Sequence, residues 1–388
     1  MSLTRQQIAE KLRNARESTG MSQTEAAKKA DVGRVALNQI EAGKRRVDSL
    51  EMARLAAAYR VPLSELLGQG GEMEPLQVLF RAADAALSRG GVKDSVLDAF
   101  GLFREISILR GQVLGGRRRS LAPFSYPWEA PGSKEEACDH GEKVAQQERG
   151  RLNLGIQALG GIAGVVAQQG VEVSELKLPA DISGFTVFQG LDALMVVNAA
   201  HHPVRRVFSL AHEYGHVLMD GRRQAVVSRE REKGDLLETR ANAFAAAFLM
   251  PPEGVSQFIQ RQGIASFGWL ETANLAWYFG VGYKVAVYRL CNLGYLNKAS
   301  RDQILGKEAG ARDFFTHLRR EAPPVDPGAK NLAGQLIQWS LKALVDGKIS
   351  RRKALELARK AGWREGTFEK YAGDMGWSRP AAGLVGPR

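Results

Sequence analysis

The residues of this chain with the most obvious chemical use lie in one short run, His212-Glu213-Tyr214-Gly215-His216. Four residues is just over one turn of an α-helix, so His212 and His216 project from the same face, as two ligands of one metal ion must. Glu213 is offset by one position, so its carboxylate can reach a water beside the metal without binding the metal itself. This spacing predicts a catalytic zinc site with two histidine ligands and Glu213 as the general base. The alternative is a pair of histidines on an ordinary helix.

A catalytic zinc site needs three protein ligands and one open position, so a third ligand must come from elsewhere in the chain. We predict Glu238, because it opens a helix otherwise rich in Ala, Phe and Leu, where a carboxylate is costly unless it is paired or metal-bound. Glu230, Glu232 and Asp235 are the alternatives, and they lie among basic residues that would explain them as solvated ion pairs. Asn242, one turn beyond Glu238, is predicted to orient that carboxylate. Zinc is the expected ion, and manganese is the alternative.

The elements that must position these residues alternate between helix and strand from about 135 to 298. Apolar spacing predicts helices at 134–154, 206–219 and 236–250, and strands at 171–173, 184–188 and 193–198. Residues 76–114 and 331–376 also have helical spacing. We therefore expect a mainly α fold with a small β-sheet, of the α+β class, in which a zincin-like domain lies between an N-terminal helical domain and a helical C-terminal segment.

The N-terminal region has the pattern of five short helices, and three signals converge in it. Ser22 is a good N-cap with Glu25 three residues later, the helix over 23–30 stops at a turn over 31–33, and the helix over 34–42 ends at Gly43. Two helices joined by so short a turn form a helix-turn-helix. One set of apolar residues, the seam, is predicted to pack between these two helices, and a second, the closing set, is predicted to complete the core from later helices. The seam is Ala26, Ala27, Val32, Leu37 and Ile40, and the closing set is Leu50, Leu55, Ala56, Val61, Leu63 and Leu66.

The second of these helices is predicted to enter the major groove of double-stranded DNA. Its N-terminal side chains suit base edges, since Arg reads guanine, Asn and Gln read adenine, and small apolar groups contact thymine methyls. These are Arg34, Val35, Ala36, Asn38 and Gln39, with Gln23, Lys44, Arg45 and Arg46 placed for phosphates at the flanks. The alternative is a small helical bundle that contacts proteins. A double-stranded DNA operator is the expected partner.

The bulk composition agrees with a globular protein of several domains. The chain has 388 residues and a net charge of +12, which makes nucleic acid the first partner to consider. Its two cysteines, Cys138 and Cys291, have no metal-ligand spacing and favour a reducing compartment. The N-terminus lacks an apolar signal segment, and no apolar run is long enough to span a membrane, so we expect a cytoplasmic protein. We divide it into a DNA-binding domain (1–70), a helical linker region (71–134), a peptidase domain (135–300) and a C-terminal helical segment (301–388).

Two stretches resemble known families. Residues 5–68 resemble the Cro/cI (XRE) helix-turn-helix family, through 22–27 and 38–45, and this resemblance implies a homodimer on the operator. Residues 150–298 resemble the ImmA/IrrE metallopeptidases, and the matching pieces are Val196-Val197-Asn198, Arg205, 208–216, 238–245, 248–251, 275–281, 289–290 and 293–294. This resemblance implies zinc held by His212, His216 and Glu238, with Glu213 as the base. It also implies cleavage of a helix-turn-helix repressor after stress or DNA damage.

The resemblance to the peptidases further implies that the strand ending at Asn198 is a sheet edge, where an extended substrate segment pairs with Val196, Val197 and Asn198. The chain departs from the radiation-response members, which place the peptidase first and a sensor domain last. The leading hypothesis is therefore a DNA-binding regulator with a zinc-dependent endopeptidase domain. The alternative is a non-proteolytic repressor or antitoxin that uses the peptidase fold as a sensor or dimerisation module.

Overall fold

The computed structural model of the chain describes residues 4–59, 61, 63–66, 79, 87, 90–115, 123–126, 130–221, 225–229, 235–311 and 332–377. Within these ranges the chain forms seventeen helices and one four-stranded sheet. The predicted class, mainly α with a small β-sheet, is confirmed. None of the helices in these ranges is both long and apolar enough to cross a bilayer.

The N-terminal domain has the five helices that the sequence predicts. They are α1 (Arg5–Ser18), α2 (Gln23–Ala30), α3 (Arg34–Glu41), α4 (Ser49–Tyr59) and α5 (Leu63–Leu66). The capping box is present, because the Ser22 hydroxyl accepts from the Glu25 amide at 3.2 Å and the Glu25 carboxylate accepts from the Ser22 amide at 2.8 Å. Helix α3 ends one residue earlier than predicted, with Ala42 as its C-cap.

The core of this domain contains the whole predicted seam but only part of the predicted closing set. Leu50 is 60% exposed and Leu63 is 40% exposed, so their assignment to the core is wrong. Met52 and Tyr59 are buried instead. Since each residue turns a helix by about 100°, Leu50 lies roughly 200° around α4 from Met52 and faces away from the core.

The remaining elements surround the sheet. The helices are α6 (Gly90–Leu114), α7 (Lys134–Arg151), α8 (Ile162–Gln168), α9 (Pro203–Met219), α10 (Leu236–Leu249), α11 (Pro252–Gln262), α12 (Trp269–Phe279), α13 (Tyr283–Asn292), α14 (Lys298–Leu305), α15 (Leu332–Val345), α16 (Arg351–Lys360) and α17 (Glu365–Asp374). The strands are β1 (Val171–Leu176), β2 (Ile182–Gln189), β3 (Asp192–Asn198) and β4 (Ala225–Arg229).

The strand order is β1-β3-β2-β4, so β3 is a central strand and the prediction of a substrate edge there is wrong. Val196 lies opposite Ser174 of β1 and Phe185 of β2, and Val197 is likewise paired on both sides. The backbone groups of β3 are therefore already paired within the sheet. The Asn198 side chain has a structural role, because it accepts from the Leu178 amide and donates to carbonyls of the β1–β2 connection and of Ile182 at the start of β2. Among the described strands the free edges belong to β1 and β4.

Each face of the sheet carries its own apolar core. One core joins the sheet to α9 and α10, and it also includes Ile304 of α14. The other core covers the opposite side chains of the strands with α6 and α15, through residues such as Phe103, Ile106 and Leu336. Helices α6 and α15 complete the second core, so elements on both sides of the predicted boundaries at 134 and 300 pack on the same sheet.

Candidate metal centre and DNA-binding surface

Helix α9 presents the two histidines as the spacing predicts. It begins with Pro203, which suits the first helical position, and its residues from Ser209 to Met219 are all buried. The Nε2 atoms of His212 and His216 lie 3.1 Å apart. Helix α10 crosses close to α9 because Gly215 has no side chain, and a Cβ there would lie 3.0 Å from the Phe244 ring.

Glu238 on α10 completes a triangle with these histidines. Its Oε2 is 3.1 Å from His212 Nε2, and its Oε1 is 3.1 Å from His216 Nε2. Zinc bonds of about 2.0–2.1 Å in a tetrahedral site separate ligand atoms by roughly 3.3 Å, so this spacing fits a zinc ion. All three residues are buried, and among the described residues they form the one group of three with this geometry. Imidazole and carboxylate donors would also bind manganese, but they select it less strongly than zinc.

The rival third ligands do not reach this triangle where they are described. Glu230 and Glu232 lie outside the described residues. The Asp235 carboxylate accepts from the Leu237 amide at 2.8 Å and caps α10. This capping hydrogen bond accounts for an acid at position 235 without any role as a metal ligand.

Each histidine is held through its other ring nitrogen. His216 Nδ1 is 2.7 Å from Asp220 Oδ2, and Arg240 donates to Asp220 Oδ1 at 2.6 Å. His212 Nδ1 is 3.1 Å from Asn242 Oδ1, so Asn242 is near the site as predicted but orients His212 rather than Glu238. Such contacts fix the ring and leave Nε2 free to bind a metal. Sequence reasoning missed Asp220, although it continues the i, i+4 spacing beyond His216.

The charges around the triangle favour a divalent cation. Burial opposes protonation of His216, but hydrogen bonds to Asp220 and Glu238 outweigh it and raise its pKa to about 10. Burial opposes ionisation of Glu238, but hydrogen bonds from His212 and His216 hold its pKa well below the usual value. Both shifts show that the two imidazoles and the Glu238 carboxylate converge on one position, where a bound metal ion would take the place of a proton.

The Glu213 carboxylate lies in a cradle that β2 and β4 form. The Thr186 hydroxyl donates to Oε2 at 2.6 Å, and Oε1 has no hydrogen-bond partner. Gly184 makes room, because a Cβ there would lie 3.0 Å from Oε1 and 2.6 Å from the Val196 carbonyl oxygen. Ser228 lies opposite Gly184 on β4. Burial raises the pKa of Glu213, while the nearby histidines and hydroxyls of Ser228 and Thr186 lower it. These strand residues are distant in sequence, and the sequence analysis missed them.

Asp220→Asn is expected to weaken zinc binding by about 10–100-fold, because the amide loses the charge that polarises His216 and pairs with Arg240. Competition with a chromophoric chelator measures this affinity. The exposed acid Asp302, replaced in the same way, is the matched control and should leave the affinity unchanged. An unaltered affinity in a folded Asp220→Asn protein would mean that Asp220 does not support the metal.

Most of the side chains predicted to contact DNA bases are exposed. Arg34, Val35, Asn38 and Gln39 are exposed on α3, with Val35 at 72%. Ala36 packs partly against the core, so it offers less surface to a base than predicted.

The predicted phosphate contacts divide into free and occupied side chains. Lys44 and Arg46 are exposed. Arg45 forms an ion pair with Glu51 at 2.8 Å. Gln23 donates to Glu41 at 2.9 Å and accepts from Asn38 at 3.2 Å, which ties the start of α2 to α3. Lys44 and Arg46 are therefore the better-placed cations.

Glu41 is a structural centre of this domain that sequence reasoning missed. Its fully buried carboxylate pairs with Arg16 of α1, with Nε–Oε1 at 2.7 Å and Nη2–Oε2 at 3.0 Å. The Glu41 hydrogen bond raises the pKa of Arg16. The pair fixes α1 against the helix that would enter the groove.

Comparison with known proteins gives the class of each domain. Residues 166–291 match the Peptidase M78 family, described as the IrrE N-terminal-like domain, and residues 12–66 match a helix-turn-helix family. A search of curated proteins finds no match. The chain thus joins a helix-turn-helix DNA-binding domain to a domain of a metallopeptidase family. More particularly, the second domain is similar to the IrrE N-terminal-like domain, and the predicted fusion of two such domains is confirmed.

Proposed function

We propose that this protein is a DNA-bound regulator whose zinc-dependent endopeptidase site cuts a helix-turn-helix repressor in a stress or DNA-damage response. The observation that supports it most is the closed triangle of His212, His216 and Glu238 with the Glu213 carboxylate beside it. A structural role alone gives no reason to keep an acid in a buried cradle next to two histidines. The N-terminal domain would place this site at an operator as a homodimer.

Zinc, when bound, polarises the scissile carbonyl and makes the attacking water more acidic. The protein's own groups perform the rest. His212, His216 and Glu238 would hold the ion, while Asp220 and Asn242 keep the imidazole rings in one orientation. The Glu213 carboxylate takes a proton from the attacking water and returns it to the leaving amine. Oε1 is the atom to carry that proton, because Oε2 already accepts from Thr186.

An extended substrate segment needs a free strand edge near this base. Strand β3 cannot supply it, since both of its sides are paired. Strand β4 is a free edge among the described strands, and it carries Ser228 beside Glu213. We therefore place the substrate backbone along β4.

A second function is favoured by one observation, the complete burial of Glu213. A base that water cannot reach would suit a non-proteolytic repressor or antitoxin in which the peptidase fold serves as a sensor or dimerisation module. The two functions differ in whether any covalent change occurs in a partner protein.

The experiment that tests the proposal is incubation of the full chain with Zn²⁺ or Mn²⁺ and purified helix-turn-helix repressors encoded at the same locus, with and without agents that mimic DNA damage. Mass spectrometry of the products should show one cleaved peptide bond, which chelation prevents. Intact repressors under every condition, with metal bound to the enzyme, would favour the non-proteolytic function.

For the DNA-binding half, the double variant Arg34→Ala/Gln39→Ala is expected to lose sequence-specific binding, since each good base contact contributes about 1–3 kcal/mol. An operator selected from random DNA by the wild-type chain serves as the probe in a mobility-shift assay. Glu10→Ala, an exposed change on α1, is the control. Specific binding that persists in the double variant would show that α3 is not the reading helix.

A further inference from the structure

A cleft of about 560 Å³ lies between α15 and the turn that leads into β1. The end of α7 and part of α6 complete its walls, and none of its lining residues belongs to the metal centre. Pockets that bind small molecules commonly have volumes of about 300–1,000 Å³ and lie where separate units meet. This cleft lies where the C-terminal helices meet the IrrE-like domain.

Two aromatic rings in the cleft are held in place by cations. The Arg151 guanidinium lies 4.9 Å from the Phe124 ring centroid, and that of Arg110 lies 5.6 Å from the Trp339 ring centroid. Phe124 remains 46% exposed, and Trp339 is partly exposed. Stacking on aromatic rings is the contact that accepts any nucleobase, because every base has a π-face.

Arg151 and Lys342 offer a position for an anion. Arg151 is fixed by the fully buried Glu148, through Nε–Oε2 at 2.7 Å and Nη2–Oε1 at 2.6 Å. Lys342 pairs with Asp346 at 3.2 Å, but its side chain is 51% exposed. Surface pairs of this kind contribute little, so a phosphate can replace Asp346 as the partner of Lys342.

The floor of the cleft is already neutralised. Arg110 forms ion pairs with Glu172 and with Asp192, the latter at 3.1 Å. The side chains of Arg151 and Lys342 are 31% and 51% exposed, against 9% for Arg110, so an anion would meet the first two. Glutamines, among them the exposed Gln168 and Gln338, line the walls and supply amide donors and acceptors for the edge of a planar ring.

We propose that this cleft binds a nucleoside monophosphate, with its base stacked on Trp339 and Phe124 and its phosphate on Arg151 and Lys342. Arg151, at the anion position, is linked to the metal-bearing helix α9 through Glu148, which also accepts a hydrogen bond from the Tyr214 hydroxyl. The ligand would thus contact the network that holds the His-Glu-Tyr-Gly-His run. The proposal is independent of peptidase activity.

Isothermal titration of the full chain with AMP, GMP, CMP and UMP tests it. At least one of the four is expected to bind once per chain, and adenosine and inorganic phosphate should bind at least about tenfold more weakly, since each lacks one set of contacts. Lys342→Gln and Trp339→Leu should each weaken binding of the nucleotide by at least about tenfold. Lys342→Gln is an exposed change, so it keeps the test decisive if Trp339→Leu does not fold.

Two control variants exclude binding elsewhere. Lys298→Gln removes an exposed cation on α14, and Arg34→Ala removes one from the DNA-binding surface, so both should bind the nucleotide as the wild type does. The proposal is overturned if none of the four nucleotides binds at about 1 mM, if inorganic phosphate binds equally well, or if Lys342→Gln leaves the affinity unchanged.

Discussion

Glu213→Gln is expected to slow repressor cleavage by about 100- to 10,000-fold, the usual contribution of a positioned general base. Glutamine has the same shape, so it fits the space beside Gly184, and its amide oxygen can still accept from Thr186. It cannot take a proton from the attacking water. Zinc affinity and melting temperature should stay near the wild-type values, because Glu213 is not in the His-His-Glu triangle.

The matched control is Glu356→Gln on α16, whose carboxylate is exposed and pairs only at the surface. It should cleave the repressor at the wild-type rate. Cleavage by Glu213→Gln at the wild-type rate would remove Glu213 from the mechanism. A wild-type chain that binds zinc and operator but cuts nothing would instead favour the non-proteolytic regulator.

The sequence predicted best what depends on neighbours along the chain. The face shared by His212 and His216 follows from helical periodicity, and the Ser22–Glu25 capping box follows from a spacing of three. Glu238 could be singled out because an acid is out of place on an apolar helix. Asp220 obeys the same local periodicity and could have been found by extending the motif by one turn.

Contacts between distant segments were beyond this reasoning. The parallel pairing of β1 with β3 turned a supposed edge strand into a central one, and alternation of side chains cannot reveal which strand lies beside which. Thr186 and Ser228 meet Glu213 only because β2 and β4 pair in one register. The Arg16–Glu41 pair joins residues that the sequence separates by 25 positions. Such contacts depend on tertiary packing.

The positions of α6 and α15 show what a division drawn from sequence leaves out. The predictions set residues 71–134 apart as a helical linker region and 301–388 as a C-terminal helical segment. Yet the sheet has apolar side chains on both faces, and a sheet that buries only one of them leaves the other in water. Helices α6 and α15 cover that second face. The need for two covering layers was therefore implicit in strand β3, whose residues are all buried.

Glu238→Ala is expected to abolish stoichiometric zinc binding and the stabilisation that zinc gives. The variant leaves two histidines, and an ion held by two protein ligands binds far more weakly than one held by three. For the wild-type chain, free zinc at a thousand times its Kd stabilises the folded state by about 4 kcal/mol, which a thermal melt detects as a higher Tm. Glu238→Ala should melt at the same temperature with and without zinc.

Asp235→Ala is the matched control for that experiment, since it removes an acid three residues earlier on the same helix. Asp235 caps α10 through the Leu237 amide, so its loss should cost about 1 kcal/mol of stability while zinc occupancy stays complete. Metal analysis after dialysis then separates the two acids, one of which shares the triangle with the histidines. Full zinc occupancy in Glu238→Ala would move the third ligand to Glu230, Glu232 or Asp235. If Asp235→Ala also loses zinc, the order of α10, rather than one carboxylate, determines metal binding.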